Sequence, residues 1–121
     1  MNKYIILIFS SFLAIIASCE GESFINFGFD SPINKDSKGL LVVDISQHDE
    51  RLFLSGYISL SEGKLEVILM NPNGVTVFSK TLVAPDELRV NETFEATRGY
   101  WKLEYTSSHG KGYIDLHISN F

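Results

Sequence analysis

Past residue 30 the chain never sustains apolar residues at a 3.6-residue spacing. It runs instead in short stretches of alternating apolar and polar residues, divided by clusters of Gly, Pro, Asn, Asp and Ser. A period of two is what a strand produces when one face lies in a core and the other in water, so the chain is expected to be all-β. Strands are predicted over residues 40–46, 51–60, 64–70, 75–82, 88–95, 100–106 and 112–119, with residues 23–29 as an eighth. Residues 30–39 (DSPINKDSKG) and 84–87 (APDE) read as loops by composition. Seven to eight short strands at this spacing predict a single antiparallel two-sheet β-sandwich of jelly-roll or Greek-key type, because each sheet has one apolar face that needs a partner.

Parity names the core. Leu52, Leu54, Ile58 and Leu60 share one strand face, on which Gly56 leaves room; Trp101, Leu103 and Tyr105 share a second, and Ile114, Leu116 and Ile118 a third. With 121 residues there is space for one domain only. A hydrophobic fraction of 45% against 21% charged residues separates the chain from disordered compositions.

The N-terminus has its own character. Lys3 precedes an apolar stretch running to Ala17, interrupted only by Ser10-Ser11, the charged and apolar regions of a secretory signal. The stretch is shorter than the roughly 20 residues that span a bilayer as a helix. Ile16-Ala17-Ser18-Cys19 resembles the lipobox of bacterial lipoproteins. That resemblance implies cleavage before Cys19, a thioether-linked diacylglyceryl group on its sulfur, and a membrane anchor of several acyl chains including palmitate-like ones, since one chain alone holds only marginally. Cys19 is the one cysteine, so no intramolecular disulfide competes for it. The expected organisation is a signal peptide over residues 1–18, the lipidated Cys19 with a short polar spacer over 19–23, and a β-domain over 24–121. Glu20-Gly21-Glu22-Ser23 is similar to the export signals of Bacteroidetes surface lipoproteins. The implied location is the cell envelope, at the outer membrane, with either leaflet open.

Residues 99–105 (GYWKLEY) followed by 110–118 (GKGYIDLHI) resemble the last hairpin of bacterial jelly-roll accessory domains, among them the pre-peptidase C-terminal domains of secreted proteases. The resemblance implies a non-catalytic module. In that hairpin Ser107-Ser108-His109-Gly110 is the loop, and charge selects a register with Lys102 opposite Asp115, Glu104 opposite Tyr113 and Tyr100 opposite His117.

Chemistry-bearing constellations are sparse. His48-Asp49-Glu50 falls where a turn is needed, and adjacent residues of an extended chain point to different sides, whereas a metal requires converging ligands. His109 and His117 have no partner by spacing, the 30–36 loop lacks the ordered ligands of an EF-hand, and no Gly-x-Ser-x-Gly elbow occurs. Asn91-Glu92-Thr93 matches an N-glycosylation pattern that conflicts with a lipobox. No catalytic residue, metal or cofactor is expected. Removing residues 1–18 takes Lys+Arg from 10 to 9 against 15 acids, moving the net charge from -5 to -6, so nucleic acid is not an expected partner.

The residues singled out for binding face away from the expected core: Phe53, Tyr57, Tyr100 and Tyr113, together with an apolar outer patch of Ile68, Met70 and Phe78. The patch follows from a turn at Asn71-Pro72-Asn73-Gly74 that sets Leu69 opposite Val77, Ile68 opposite Phe78 and Glu66 opposite Lys80, leaving Leu65, Val67, Leu69 and Val77 inside. It is either an interface or a seat for residues 24–29, whose Phe24, Phe27 and Phe29 need cover. The chain is thus expected to be a membrane-tethered, non-enzymatic binding or scaffolding module for another protein. The alternatives are a carbohydrate-binding module using the outward aromatics and a small envelope hydrolase.

Overall fold

The computed structural model describes residues 2–9, 14–20, 25–46 and 51–120. Among them there is no helix, and the strands are β1 (Asn2–Phe9), β2 (Ala14–Glu20), β3 (Asn26–Lys35), β4 (Lys38–Ile45), β5 (Arg51–Met70), β6 (Thr76–Val83), β7 (Asp86–Glu95) and β8 (Gly99–Ser119). Every pairing is antiparallel. The all-β expectation holds.

From Asn26 onward there are six strands where seven or eight short ones were expected, because β5 and β8, of 20 and 21 residues, each join two of the expected strands. No hairpin forms at residues 107–110. Lys102 lies opposite Met70 and Asp115 opposite Tyr57, so neither residue meets the other. The turn-like composition is used sideways instead of for reversal. Ser107 N donates to Ser37 O at 2.8 Å, the Ser107 hydroxyl donates to Lys35 O, and His109 N donates to Asp36 Oδ1 at 2.9 Å. These bonds satisfy the polar groups of a bend, at which His109 has φ 51° and the facing Gly63 has φ 79°. A Cβ on Gly63 would come within 2.3 Å of His109 O, so the two long strands approach too closely here for a side chain.

The bend divides the sheet into two stretches. In one, β3 pairs with residues 110–119 of β8, these with residues 53–60 of β5, and residues 51–60 of β5 with β7. In the other, β4 pairs with 99–106 of β8, these with 64–70 of β5, and these with β6. Beyond β4, β1 pairs along its outer edge from Gly39 to Val43, and β2 pairs with β1. No helix of the described residues is long and apolar enough to cross a membrane.

Residues 30–39 are a correction: most of them are strand, not loop. Pro32 misled the compositional reading. It sits in β3, which among the described residues pairs with β8 alone, and on such an edge a missing N–H costs no ladder bond. Residues 26–29 likewise do not cover Ile68 and Phe78. Phe29 is fully buried and Phe27 packs on the core from within β3, while Phe24 lies outside the described residues.

The interior follows parity. Leu52, Leu54, Ile58, Leu60, Leu65, Val67, Leu69, Trp101, Leu103, Tyr105, Ile114, Leu116 and Ile118 are all buried in one cluster, which Phe29, Ile33, Leu41 and Val43 join. Both stretches contribute to it. The Phe29 and Tyr105 rings meet edge to face at 5.0 Å, and Phe94 and Trp101 lie 6.2 Å apart, each pair with one member from either stretch. The Trp101 indole N–H donates to Thr97 O at 2.8 Å, so its polar atom is satisfied where the chain passes from β7 to β8.

The turn after β5 forms as expected: Asn71 N donates to Val75 O, Gly74 has φ 78°, and the Asn71 carboxamide oxygen accepts from Asn73 N and Val75 N. The register beyond it is off by one. Met70 pairs with Thr76 but Leu69 with Phe78, Ile68 with Ser79 and Glu66 with Thr81, because a bulge absorbs one residue. Val77 and Phe78 consequently both pack against the core.

Candidate functional site

The seven expected surface residues do not form one surface. Phe78 turns inward through the bulge. Ile68, Met70 and Tyr100 lie on the non-core face of the β4–β8–β5–β6 stretch, where Ile68 is opposite Glu104, Met70 opposite Lys102 and Tyr100 opposite Asp44. Ile68 and Met70 are half-buried, so the apolar patch expected there is broken by charged neighbours. Phe53, Tyr57 and Tyr113 lie on the non-core face of the other stretch, and there a coherent constellation appears.

Four strands set out that face in rows. Across β3, β8, β5 and β7 they read Asn26, Ser119, Phe53, Thr93; Gly28, His117, Ser55, Asn91; Asp30, Asp115, Tyr57, Arg89; and Pro32, Tyr113, Ser59, Glu87. The third row puts two carboxylates directly opposite each other, an arrangement that destabilises a sheet unless donors offset it. Donors are present. The Tyr113 hydroxyl donates to Asp30 Oδ1, and His117 Nε2 lies 2.5 Å from Asp115 Oδ1. The bond to Asp30 also holds the Tyr113 phenol above its ordinary range, since it stabilises the protonated form. Beside them the Arg89 guanidinium sits 5.3 Å from the centre of the Tyr57 ring. The Tyr57 phenol is held up in the same way, chiefly by its hydrogen bond to Glu87.

Tyr113 is the aromatic ring that stands clear, 42% exposed, with the short residues Pro32 and Ser59 on its two sides. Tyr57 is half-buried beside Arg89, and Phe53 is half-buried at the far end of the face. The arrangement offers one flat aromatic surface flanked by acceptors, with Arg89 held over a second ring and Lys111 next along β8 paired with Glu62. Among the described residues no group of three or more His, Cys, Asp or Glu side chains is placed to hold a metal ion.

Sequence parity already aligns Tyr113, Asp115 and His117 on one side of β8. Asp30 was out of reach, because residues 30–39 read as loop, and Arg89 and Glu87 needed the β5–β7 pairing. Asp36 and His109 sit instead at the bend, near the exposed Lys111–Glu62 pair at 3.9 Å. His48, Asp49 and Glu50 lie outside the described residues. Cys19 is in β2, opposite Lys3 of β1.

No family model matches the chain, and no curated protein matches it. Among solved structures it is similar to the 11S allergen from Cocos nucifera L., with TM-score 0.31 and 17% identity over 75% of this chain and 27% of that one. The coconut allergen cocosin gives TM-score 0.31 and 16% identity over 75% of this chain and 25% of that one. The chain spans about a quarter of the length of either.

Proposed function

We propose that this protein is a membrane-tethered, non-enzymatic binding module of the cell envelope, anchored by lipid on Cys19 and presenting the β3–β8–β5–β7 face to its ligand. One observation carries the reading: Tyr113, Asp30, Asp115, His117, Tyr57 and Arg89 come from four strands to one surface, where they interact with each other and leave the Tyr113 ring exposed. Polar and aromatic groups gathered on rigid strands are what a recognition surface needs. In the mature form the two stretches of sheet stack as a two-sheet sandwich of jelly-roll order. The ring pairs Phe29–Tyr105 and Phe94–Trp101, each joining the two stretches, support that stacking. Cleavage before Cys19 removes β1 and most of β2, so the β4 edge is bare in the anchored protein.

The anchor is tested by Cys19→Ala. The expected result is an uncut precursor or a protein lost from the membrane fraction, because the thioether is the covalent link to lipid. A variant that stays in the membrane with residues 1–18 removed overturns the reading.

A further inference from the structure

We infer that the ligand of the β3–β8–β5–β7 face is a neutral glycan chain from the cell's surroundings, one sugar of which lies on the Tyr113 ring. The inference rests on the binding-module reading above and names the ligand class for that same face. Three features of the surface select it.

The first is charge. Asp30, Asp115 and Glu87 face solvent on this surface, while each cation of the face already has a neighbour, Arg89 against the Tyr57 ring, Lys111 paired with Glu62 and Arg51 opposite Glu95, in a chain of net charge -5. Phosphate-rich or carboxylate-rich polymers, including the anionic glycans of an envelope, are repelled; a ligand rich in hydroxyl donors is not. Carboxylates are strong acceptors for sugar hydroxyls, and each of these already spends only part of its acceptor capacity inside the protein.

The second is the shape of the surroundings. Pro32 and Ser59 beside Tyr113, and Gly28 and Ser55 beside His117, are short, so the ring and the imidazole rise from a floor that a flat pyranose can approach. The apolar C–H face of a sugar packs on an aromatic ring while its rim of hydroxyls reaches Asp115 and Arg89 in the next row, with Tyr57 a diagonal neighbour of Tyr113 roughly 7–8 Å away.

The third is what the molecule lacks elsewhere. A protein partner is held mainly by a few large side chains packed together at the centre of a patch from which water is fully excluded. The outward cluster that would have served, Ile68 with Met70 and Phe78, is dispersed, since Phe78 packs partly buried against the core and Glu104 and Lys102 stand opposite the other two. Among the described residues no comparable well-packed group lies on the Tyr113 face, whose Tyr113 ring stands among short neighbours.

The test uses the full chain in detergent and calorimetric titration with hexasaccharides of glucose, mannose and N-acetylglucosamine, with hexagalacturonate as the anionic control. At least one neutral hexasaccharide binds, Tyr113→Ala and Asp115→Asn each weaken it by about tenfold or more, and Tyr100→Ala on the opposite face leaves it within about twofold. Urea midpoints of the variants separate lost binding from lost folding. The inference is overturned if no neutral hexasaccharide binds near millimolar concentration, if hexagalacturonate alone binds, or if Tyr100→Ala abolishes binding while Tyr113→Ala does not. A photoreactive residue at Ser59, used on intact membranes, separates the two levels. Cross-linking to one stoichiometric protein without sugar binding overturns the glycan and leaves the binding module standing; neither sugar nor protein overturns both.

Discussion

The two stretches of sheet are alike within and unlike without. Each has four strands built around one half of β5 and one half of β8, the second continued past β4 by β1 and β2, and each sends its alternate residues into the same core. On the opposite side they diverge. The β4–β8–β5–β6 stretch carries Leu40, Val42, Ile68 and Met70, half-buried beside Lys102 and Glu104, an ordinary solvated face in which long charged side chains shield apolar ones. The β3–β8–β5–β7 stretch carries two facing carboxylates, each bound to a neighbouring donor, an exposed tyrosine ring and an arginine over a second ring. Stability alone does not call for the second arrangement, because opposed carboxylates weaken a sheet. The contrast is what favours the β3–β8–β5–β7 face as the proposed binding surface.

The shared interior is where the largest effects are expected. Trp101→Ala and Phe29→Ala, one from each stretch, should each cost roughly 3–5 kcal/mol, read as a fall in the urea midpoint with a single transition. Two transitions in either variant would mean that the stretches fold separately and would break the likeness between them. Gly56 comes next. It has φ 150°, and a Cβ there would lie 1.9 Å from Asp115 O, so Gly56→Ala should destabilise by about 1–3 kcal/mol through displacement of β5 from β8. A neutral effect would show that the two long strands are less tightly joined beneath the tyrosine face than this geometry requires.

Smaller effects sharpen the difference between the outer faces. Ile68→Ser, on the face without an assigned role, should lower stability by about 1 kcal/mol for a half-buried side chain and leave sugar titrations unchanged. Loss of sugar binding in this variant would erase the distinction. The smallest effect is in alkali. Tyr57 and Tyr113 hold their protons to higher pH in the folded protein than the ordinary value of 10.0. Their contribution to stability is therefore complete below that pH and is lost as pH rises through the folded values. In a tyrosinate absorbance titration, Tyr113→Phe should remove a late-ionising group; an unchanged late phase would show that the Asp30 contact does not persist in solution.

Much of this was legible from alternation. The inward sets Leu52–Leu54–Ile58–Leu60, Trp101–Leu103–Tyr105 and Ile114–Leu116–Ile118 needed only a period of two, and the same parity put Tyr57 and Tyr113 outside. Phe78 was misplaced because a bulge adds one residue, which reverses parity beyond it and leaves no mark in composition. Asp30 was missed because an edge strand tolerates the proline and polar residues that elsewhere signal a loop.

Which way a side chain points along an extended strand is a local matter, set by the pleat, and the order of apolar and polar residues determines it without reference to the rest of the chain. Which strands become neighbours is not local. Residues 107–110 have the composition of a hairpin loop, yet they continue a strand because Lys35 and Asp36, 72 and 73 positions away along the chain, supply the partners for Ser107 and His109. Likewise, Asp30 and Asp115 became a pair, and Tyr113 and His117 their donors, only when β3 came to lie along β8. The energy that selects such pairings is shared among residues distant in sequence, so it acts only once the tertiary structure has brought them together.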